Sequence, residues 1–354
     1  MVRASVVWLN YNSMRFVDIA LRSLESFLNL DFNNYELIVI DNASTDGSFE
    51  VIKKYVNEHK GNVKVKVIRN DRNLGYAGGM NVGWDARDPD SRYVAFANND
   101  LIAAPESLAK LIESAEGEER VAAVSGLIYY PDGKTIYSTG GCVDELWSAG
   151  NICNESTVND CPEAYKEHYV TYPDGSYMVV KVNIIKNIMP NGKPFIDETF
   201  LYLDDNLLGL ILWNKGYQVK YIPINAGIHY EGKTTSGFYK NFYLTRSLTA
   251  LSYVVKTRYS NTIIGLAHNL KRYASILKEI DRAKYWGFID GKRFGKLLLT
   301  RIGVLDLYCA PYIEITLSEI INGLFPIKYS KAKKYTIRHS NLKIRNDTIK
   351  KCTT

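Results

Sequence analysis

Over its first 130 residues the chain alternates short apolar runs with stretches whose apolar positions recur every three or four residues. Ser5–Leu9, Leu37–Ile40, Val63–Ile68 and Tyr93–Ala97 are apolar enough to be strands, and the intervening patterns near 14–28, 49–58 and 77–86 carry the helical period. Strands that are apolar on both sides and separated by helices predict a mainly parallel, Rossmann-like central sheet covered on both faces, an α/β fold. Residues 130–200 break this rhythm with turn signals at Pro131-Asp132-Gly133, Gly140-Gly141, Pro173-Asp174-Gly175 and Pro190-Asn191-Gly192, and predict a mixed, partly antiparallel region. Leu207, Leu208, Ile211 and Leu212 then mark a helix from Asp204 to Lys215 with Gly216 as its stop. From Phe238 to about Phe325 the pattern is helical, with many aromatic and basic residues.

In open α/β sheets ligands bind at the carboxyl ends of the strands. Here those ends are polar throughout: Asn10-Tyr11-Asn12 after the first, Asp41 to Gly47 after the second, Arg69-Asn70 after the third and Asn98-Asn99-Asp100 after the fourth. Asp41 comes directly after four apolar residues and is placed to accept a hydrogen bond from a nucleobase, whereas Asp46 reads as a helix cap. The stretch Asn73-Leu74-Gly75-Tyr76-Ala77-Gly78-Gly79-Met80-Asn81 puts glycines at a helix start, where a phosphate could sit. It does not come after the first strand, which disfavours a nicotinamide dehydrogenase, and the lack of a glycine-rich loop there ranks a nucleotidyltransferase last. Asn98-Asn99-Asp100 offers one carboxylate and two amides, a set that suits Mg²⁺ or Mn²⁺ shared with substrate phosphates, a plain turn being the alternative. His229, after another strand-like run, is a candidate further metal contact, and Asp204-Asp205 is a pair of carboxylates in the first turn of its helix.

Composition changes the picture in few places. With 46% hydrophobic and 23% charged residues over 354 positions, the chain is globular and neither disordered nor collagen-like. The five cysteines, Cys142, Cys153, Cys161, Cys309 and Cys352, lack paired spacing and are expected to be reduced thiols in a cytoplasmic protein. The start, MVRASVVWLNYNS, lacks the pattern of a secretory signal, and no window approaches the roughly 18 uninterrupted apolar residues of a spanning helix. The net charge of +6 is concentrated in residues 326–354, which hold nine Lys/Arg and one acid, Asp347, leaving 35 basic and 37 acidic residues elsewhere. Such a tail suits an anionic membrane surface at the inner face of the cell, or is simply solvated; no nucleic-acid module accompanies it.

Taken in order, the runs VVWLNYNS, ELIVIDNASTDGS, RNLGYAGGMNVGW, VAFANND, FIDETFLYLDD and GYQVKYIPINAGIHYEGKTTSG resemble the inverting glycosyltransferases of family 2, particularly their rhamnosyltransferase-like branch, across roughly residues 4–255. RAKYWGFIDGKRFGK (282–296) looks like that branch's C-terminal extension. The resemblance implies a GT-A fold over 1–235, with a donor half to about 130 and an acceptor half from about 131, then a helical extension over 236–325 and the basic tail from 326. It implies a dTDP-, UDP- or GDP-linked sugar donor, a glycan or lipid-linked acceptor, and a divalent metal, Mg²⁺ or Mn²⁺. By position Asp41 matches the nucleobase-binding Asp, with Asn10, Tyr11 and Asn12 in the same pocket and Asn73, Gly75, Gly79, Asn81, Asn98 and Asn99 along the donor. Asp100 matches the last residue of the metal-binding Asp-X-Asp motif, Asp205 the catalytic base with Asp204 beside it, and His229 the histidine that completes the metal or diphosphate site.

Two positions depart from the pattern. Asn98 stands for the first metal-motif carboxylate, and the Glu-Asp pair is Asp204-Asp205 with Leu207 in place of a further acid. These departures keep a second reading open, a non-catalytic nucleotide-sugar-binding module or assembly partner. The aromatic residues Trp147, Trp213, Tyr172 and Tyr177, with Asp197-Glu198, are candidates to line an acceptor sugar site. The oligomeric state is left open, a homo-oligomer included.

Overall fold

The structure is a computed structural model, and it describes residues 3–233, 237–278 and 281–315. The four strands and three helices read from the apolar periodicity of the first 130 residues are present. The first half runs β1 (Ala4–Asn10), α1 (Val17–Leu28), β2 (Tyr35–Asp41), α2 (Ser48–His59), β3 (Lys64–Arg69), α3 (Gly75–Ala86), β4 (Tyr93–Asn98), β5 (Leu101–Ala103), α4 (Ser107–Gly117) and β6 (Val121–Tyr129). Four short strands come next, β7 (Ile136–Ser138), β8 (Gly141–Val143), β9 (Ala149–Asn151) and β10 (His168–Tyr169), then β11 (Tyr177–Lys181), α5 (Val182–Ile188), α6 (Asp204–Asn214) and β12 (Gln218–His229). The helical extension comprises α7 (Gly237–Val254), α8 (Ile263–Lys278) and α9 (Arg282–Ile302).

The main sheet has the order β10-β12-β6-β11-β4-β1-β2-β3, with β5 on β12 and β7 on β6. β3, β2, β1 and β4 are mutually parallel, as are β6 and β12, while β11 runs antiparallel between β4 and β6. Successive side chains on a strand face opposite ways, so Val6, Trp8, Leu37 and Val39 pack with α1, α2 and α4, while Val7, Ile38 and Ile40 pack with α3 and the layer beyond it. Each such side chain, fully withdrawn from water, contributes about 1.5–3 kcal/mol, which is why these strands are apolar on both sides.

Several expectations change here. Helical structure does not run unbroken to Phe325: after Ile302 the described chain holds a short strand at Leu305–Asp306 and a 3₁₀ turn at Leu307–Cys309. Residues 316–325, the basic tail and the 235/236 boundary lie outside the described residues. Cys153 and Cys161 are joined in a disulfide across the irregular region, so the cysteines are not all reduced thiols. Buried Cys142 is a free thiol. Trp147, Tyr172, Tyr177 and Trp213 are all buried within the protein rather than lining a sugar site, and the Trp213 indole donates to the Val170 carbonyl at 2.9 Å. Among the described residues no helix is long and apolar enough to cross a membrane.

Candidate active site

The parallel strands deliver their polar ends to one edge. Asn10 pairs in register with Asp41, and Leu9 with Asn98, so the residues that end β1, β2 and β4 are neighbours. Asn10 is wholly buried; its amide nitrogen donates to Asp41 at 2.9 Å, and its oxygen accepts from Asn99 at 3.0 Å and from Ser13 at 2.6 Å. Asp41 also accepts from the Ser44 amide at 3.0 Å and its hydroxyl at 2.6 Å, and Arg69 stands 3.4 Å away. Half-buried Asn12 takes a left-handed backbone (φ 45°) and accepts from the Thr45 amide at 2.8 Å, which ties the β1 and β2 turns together beside half-buried Tyr11. Asp46 accepts from the Ser48 amide at 3.1 Å, from one residue before Gly47, which takes the N-cap position of α2.

The third strand end joins through a residue that sequence reasoning passed over. Asn42 donates to Asn73 at 3.0 Å and to the Gly75 carbonyl at 2.8 Å, and accepts from Asn70 at 2.9 Å and the Leu74 amide at 3.1 Å. The glycines of α3 have packing reasons for lacking a side chain. A Cβ on Gly75, which sits at φ 71°, would run into the Phe200 carbonyl, and one on Gly79 would stand 2.6 Å from a Leu9 methyl. Asn81 is buried, and its amide nitrogen is committed to the Phe195 carbonyl at 2.8 Å and Asp197 at 2.7 Å. Gly75 and Asn81 thus brace the segment 195–200.

Asp100 lies just past β4, where half-buried Asn98 closes the strand, and faces His229 at the end of β12, with Nε2 to Oδ1 at 3.1 Å. Both are nearly inaccessible to water. Burial opposes charge on each, yet the pair wins: Asp100 lies below the usual carboxylate range because His229 faces it, and the His229 imidazole is raised because Asp100 faces it. The other imidazole nitrogen, Nδ1, is buried with no hydrogen-bond partner among the described residues. A buried carboxylate oxygen and an imidazole nitrogen 3.1 Å apart are spaced as adjacent ligands, a pair that fits a divalent ion which keeps other positions for water and diphosphate. Cys153, Cys161 and Glu163 also cluster, but their two sulfurs are spent in the disulfide.

Because β11 is antiparallel, the turn that precedes it, Asp174-Gly175-Ser176, lies at the carboxyl end of β4, where the Asn98 amide donates to the Ser176 carbonyl at 3.0 Å. Buried Asp174 accepts from the Ser176 amide at 2.8 Å and from Asn151 at 3.1 Å. Gly175 packs on half-buried Asp205: its amide donates to the carboxylate, and a Cβ there would stand 3.0 Å from Oδ2. Asp205 is raised to about 7, first by burial and then by the charge of Asp174; Asp204, which accepts from the Thr199 hydroxyl, is raised to about 8, mainly by burial, with Asp205 adding to it. The turn before them is strained. Phe200, Tyr202 and Leu203 hold φ of 63°, 62° and 70°, a conformation that costs non-glycine residues about 1–3 kcal/mol each and gathers at functional sites.

A sheet whose carboxyl edge carries a buried Asn/Asp cluster, an Asp–His corner and a carboxyl raised to about 7 has the GT-A fold of glycosyltransferases. Residues 5–165 match the model of Glycosyl transferase family 2, and the protein is a glycosyltransferase that carries this domain. It is 22% identical over 284 residues to an uncharacterized glycosyltransferase of Haemophilus influenzae, spanning 78% of this chain and 83% of that one. It is 26% identical over 219 residues to the N-acetylglucosaminyl-diphospho-decaprenol L-rhamnosyltransferase of Mycobacterium tuberculosis, spanning 56% and 67%. Two solved structures share the fold. The mannosyltransferase PcManGT of Pyrobaculum calidifontis, in complex with GDP-Man and Mn²⁺, superposes with a TM-score of 0.51 at 15% identity over 86% of this chain and 76% of its own. GalNAc-T7 with UDP, GalNAc and Mn²⁺ gives 0.52 at 15% identity over 79% and 58%.

Proposed function

We propose that the protein transfers a hexosyl group, rhamnose being the first candidate, from a nucleotide-sugar donor to a hydroxyl of a glycan or lipid-linked acceptor, with inversion at the sugar carbon and Asp205 as general base. The observation that carries this reading is the half-buried Asp205 carboxylate, raised to about 7 and set at the sheet edge that also bears Asp100 and His229. Inversion requires the acceptor oxygen to attack the anomeric carbon opposite the leaving group. As the new C–O bond forms, the bond to the diphosphate breaks, the acceptor proton passes to Asp205, and the nucleoside diphosphate departs with the electron pair. A Mg²⁺ or Mn²⁺ held by Asp100 and His229 would supply positive charge to the diphosphate. Asp41 and Asn10 would hold the nucleobase end, the sheet edge being the donor half and residues from about 131 the acceptor half. The lipid-linked rhamnosyl reading draws on the name of the mycobacterial relative.

The test is release of nucleoside diphosphate from UDP-, dTDP- and GDP-sugars with Mg²⁺ or Mn²⁺, water serving as fallback acceptor. Slow metal-dependent release from one donor is expected; a donor that binds tightly but is never consumed, with any acceptor offered, would favour a non-catalytic binding module. The basic tail would hold the enzyme at the inner face of a membrane that carries the acceptor. Flotation with anionic vesicles that is lost in high salt, and absent with zwitterionic ones, is the expected result.

A further inference from the structure

The turn that carries Asp204 and Asp205 is gripped from the helical extension, well beyond the family 2 match. α7 and α9 pack closely because glycines recur every four residues along α9. Gly287 lies against the Phe242 carbonyl, a Cβ on Gly291 would stand 2.6 Å from the Arg246 carbonyl, and one on Gly295 2.7 Å from the Tyr253 Cβ. This approach brings Asp290 of α9 to the Arg246 Nε at 2.6 Å. Arg246, buried and with its guanidinium 3.7 Å from the Phe294 ring centre, spends its other nitrogens on the turn: Nη1 donates to the Thr199 carbonyl at 2.9 Å and Nη2 to the Glu198 carbonyl at 2.9 Å. Three residues earlier on the same face of α7, Tyr243 stacks on Phe200 with centroids 5.0 Å apart. Thr199, held by its carbonyl, passes its hydroxyl to Asp204, and Arg301 of α9 takes the Glu198 carboxylate at 2.6 Å. The strained residues Phe200, Tyr202 and Leu203 lie between these anchors and α6.

We propose that Arg246, oriented by Asp290, is a positioning residue for the reaction: the helical extension is a brace that keeps the left-handed turn 200–203 in place and thereby aims Asp205 at the acceptor hydroxyl. The planar guanidinium fork reaches two successive carbonyls and one carboxylate together, which a lysine ammonium cannot do in the same geometry. The inference rests on the reading of Asp205 as base. Displacement of a catalytic group by about 1 Å can cost about 10²-fold in rate without touching substrate affinity.

The test uses the full chain with Arg246→Gln, Arg246→Lys and Asp290→Asn beside Asp205→Asn. With the donor that turns over in the UDP-, dTDP- and GDP-sugar panel, Arg246→Gln is expected to lower kcat by about 10²-fold with donor KM within about threefold, and Arg246→Lys and Asp290→Asn to fall between it and the native enzyme. Amide hydrogen exchange, which needs no turnover, should quicken by about tenfold or more over residues 197–205 and stay unchanged over β1 and β2. The brace is overturned if Arg246→Gln keeps native kcat, if exchange at 197–205 does not change, or if kcat and donor affinity fall together with exchange raised throughout the chain. Native activity in Asp205→Asn would instead overturn the base assignment, and the exchange data would then judge the brace alone.

Discussion

Asp205→Asn is expected to reduce sugar transfer by about 10³-fold while donor affinity stays within about threefold of the native value. The substitution removes basicity and almost no volume, and asparagine can still accept from the Gly175 amide that holds the native carboxylate. In the native enzyme the base form must be ionised, and burial with the Asp174 charge raises this carboxyl to about 7. The rate should therefore climb with pH up to about 7 and level off above it, and the remnant activity of the variant should lack that rise. Asp204 beside it is also raised, mainly by burial and further by the charge of Asp205, so the two neighbours titrate as a coupled pair. Stability carries the opposite sign. Both carboxyls hold protons in the folded chain that the unfolded chain has released above the ordinary value of 3.8, so folding stability falls as pH rises from about 4 to about 8. Asp205→Asn relieves part of this cost, and its Tm at pH 8 should equal or exceed the native one. Nucleoside diphosphate release across pH 5.5–8.5 checks the rate and thermal unfolding at both ends checks that the variant is folded; a folded variant that turns over normally removes Asp205 from the role of base.

What could be read from the chain alone depended on whether a residue's neighbours were set by its own strand. Asp41, Asn98 and Asp100 each come at the end of an apolar run, and parallel strands with both faces buried have only one edge for the polar residues at their carboxyl ends. Asp205 was legible for a related reason: the helical period after it and Gly216, left-handed at φ 81°, bound α6 at both ends, which leaves the carboxylates in its first turn. Asp174 read as an ordinary turn residue, because nothing local says that β11 inserts antiparallel beside β4 and carries that turn to the site. Arg246 lies on a helix 41 positions beyond Asp205, and its contact depends on a close helix pairing seen only when Gly287, Gly291 and Gly295 meet α7. Gly75 shows the converse. Its glycine was visible, but its reason, the nearby carbonyl of Phe200, comes from a segment 125 residues away.

Asp100→Ala is expected to weaken donor binding by about 10–100-fold in the presence of Mn²⁺ and to abolish the difference between binding with and without the ion. The reason lies in what the carboxylate does for its partner as much as in the ligand it supplies. His229 is buried, its Nδ1 has no hydrogen-bond partner among the described residues, and the Asp100 carboxylate faces its Nε2. Without Asp100 both ring nitrogens are left in a site closed to water, a loss of about 1–3 kcal/mol in stability, and the charge that raises the imidazole is gone, so the ring stays neutral to lower pH. The site then offers one neutral ligand where it had a carboxylate and an imidazole, and Asn98 cannot replace the lost charge. Calorimetric titration of the native and variant proteins with UDP, dTDP and GDP, each with and without Mn²⁺, separates the two contributions. A native protein that binds its nucleotide equally well with and without the ion would remove the metal from the Asp100–His229 corner and leave that pair a buried structural bridge; dependence on the ion that survives in Asp100→Ala would move the metal to other ligands. Donor affinity that falls to the ion-free native level, with the Asp41 pocket still binding nucleotide weakly, is the outcome that ties the leaving diphosphate to this edge of the sheet.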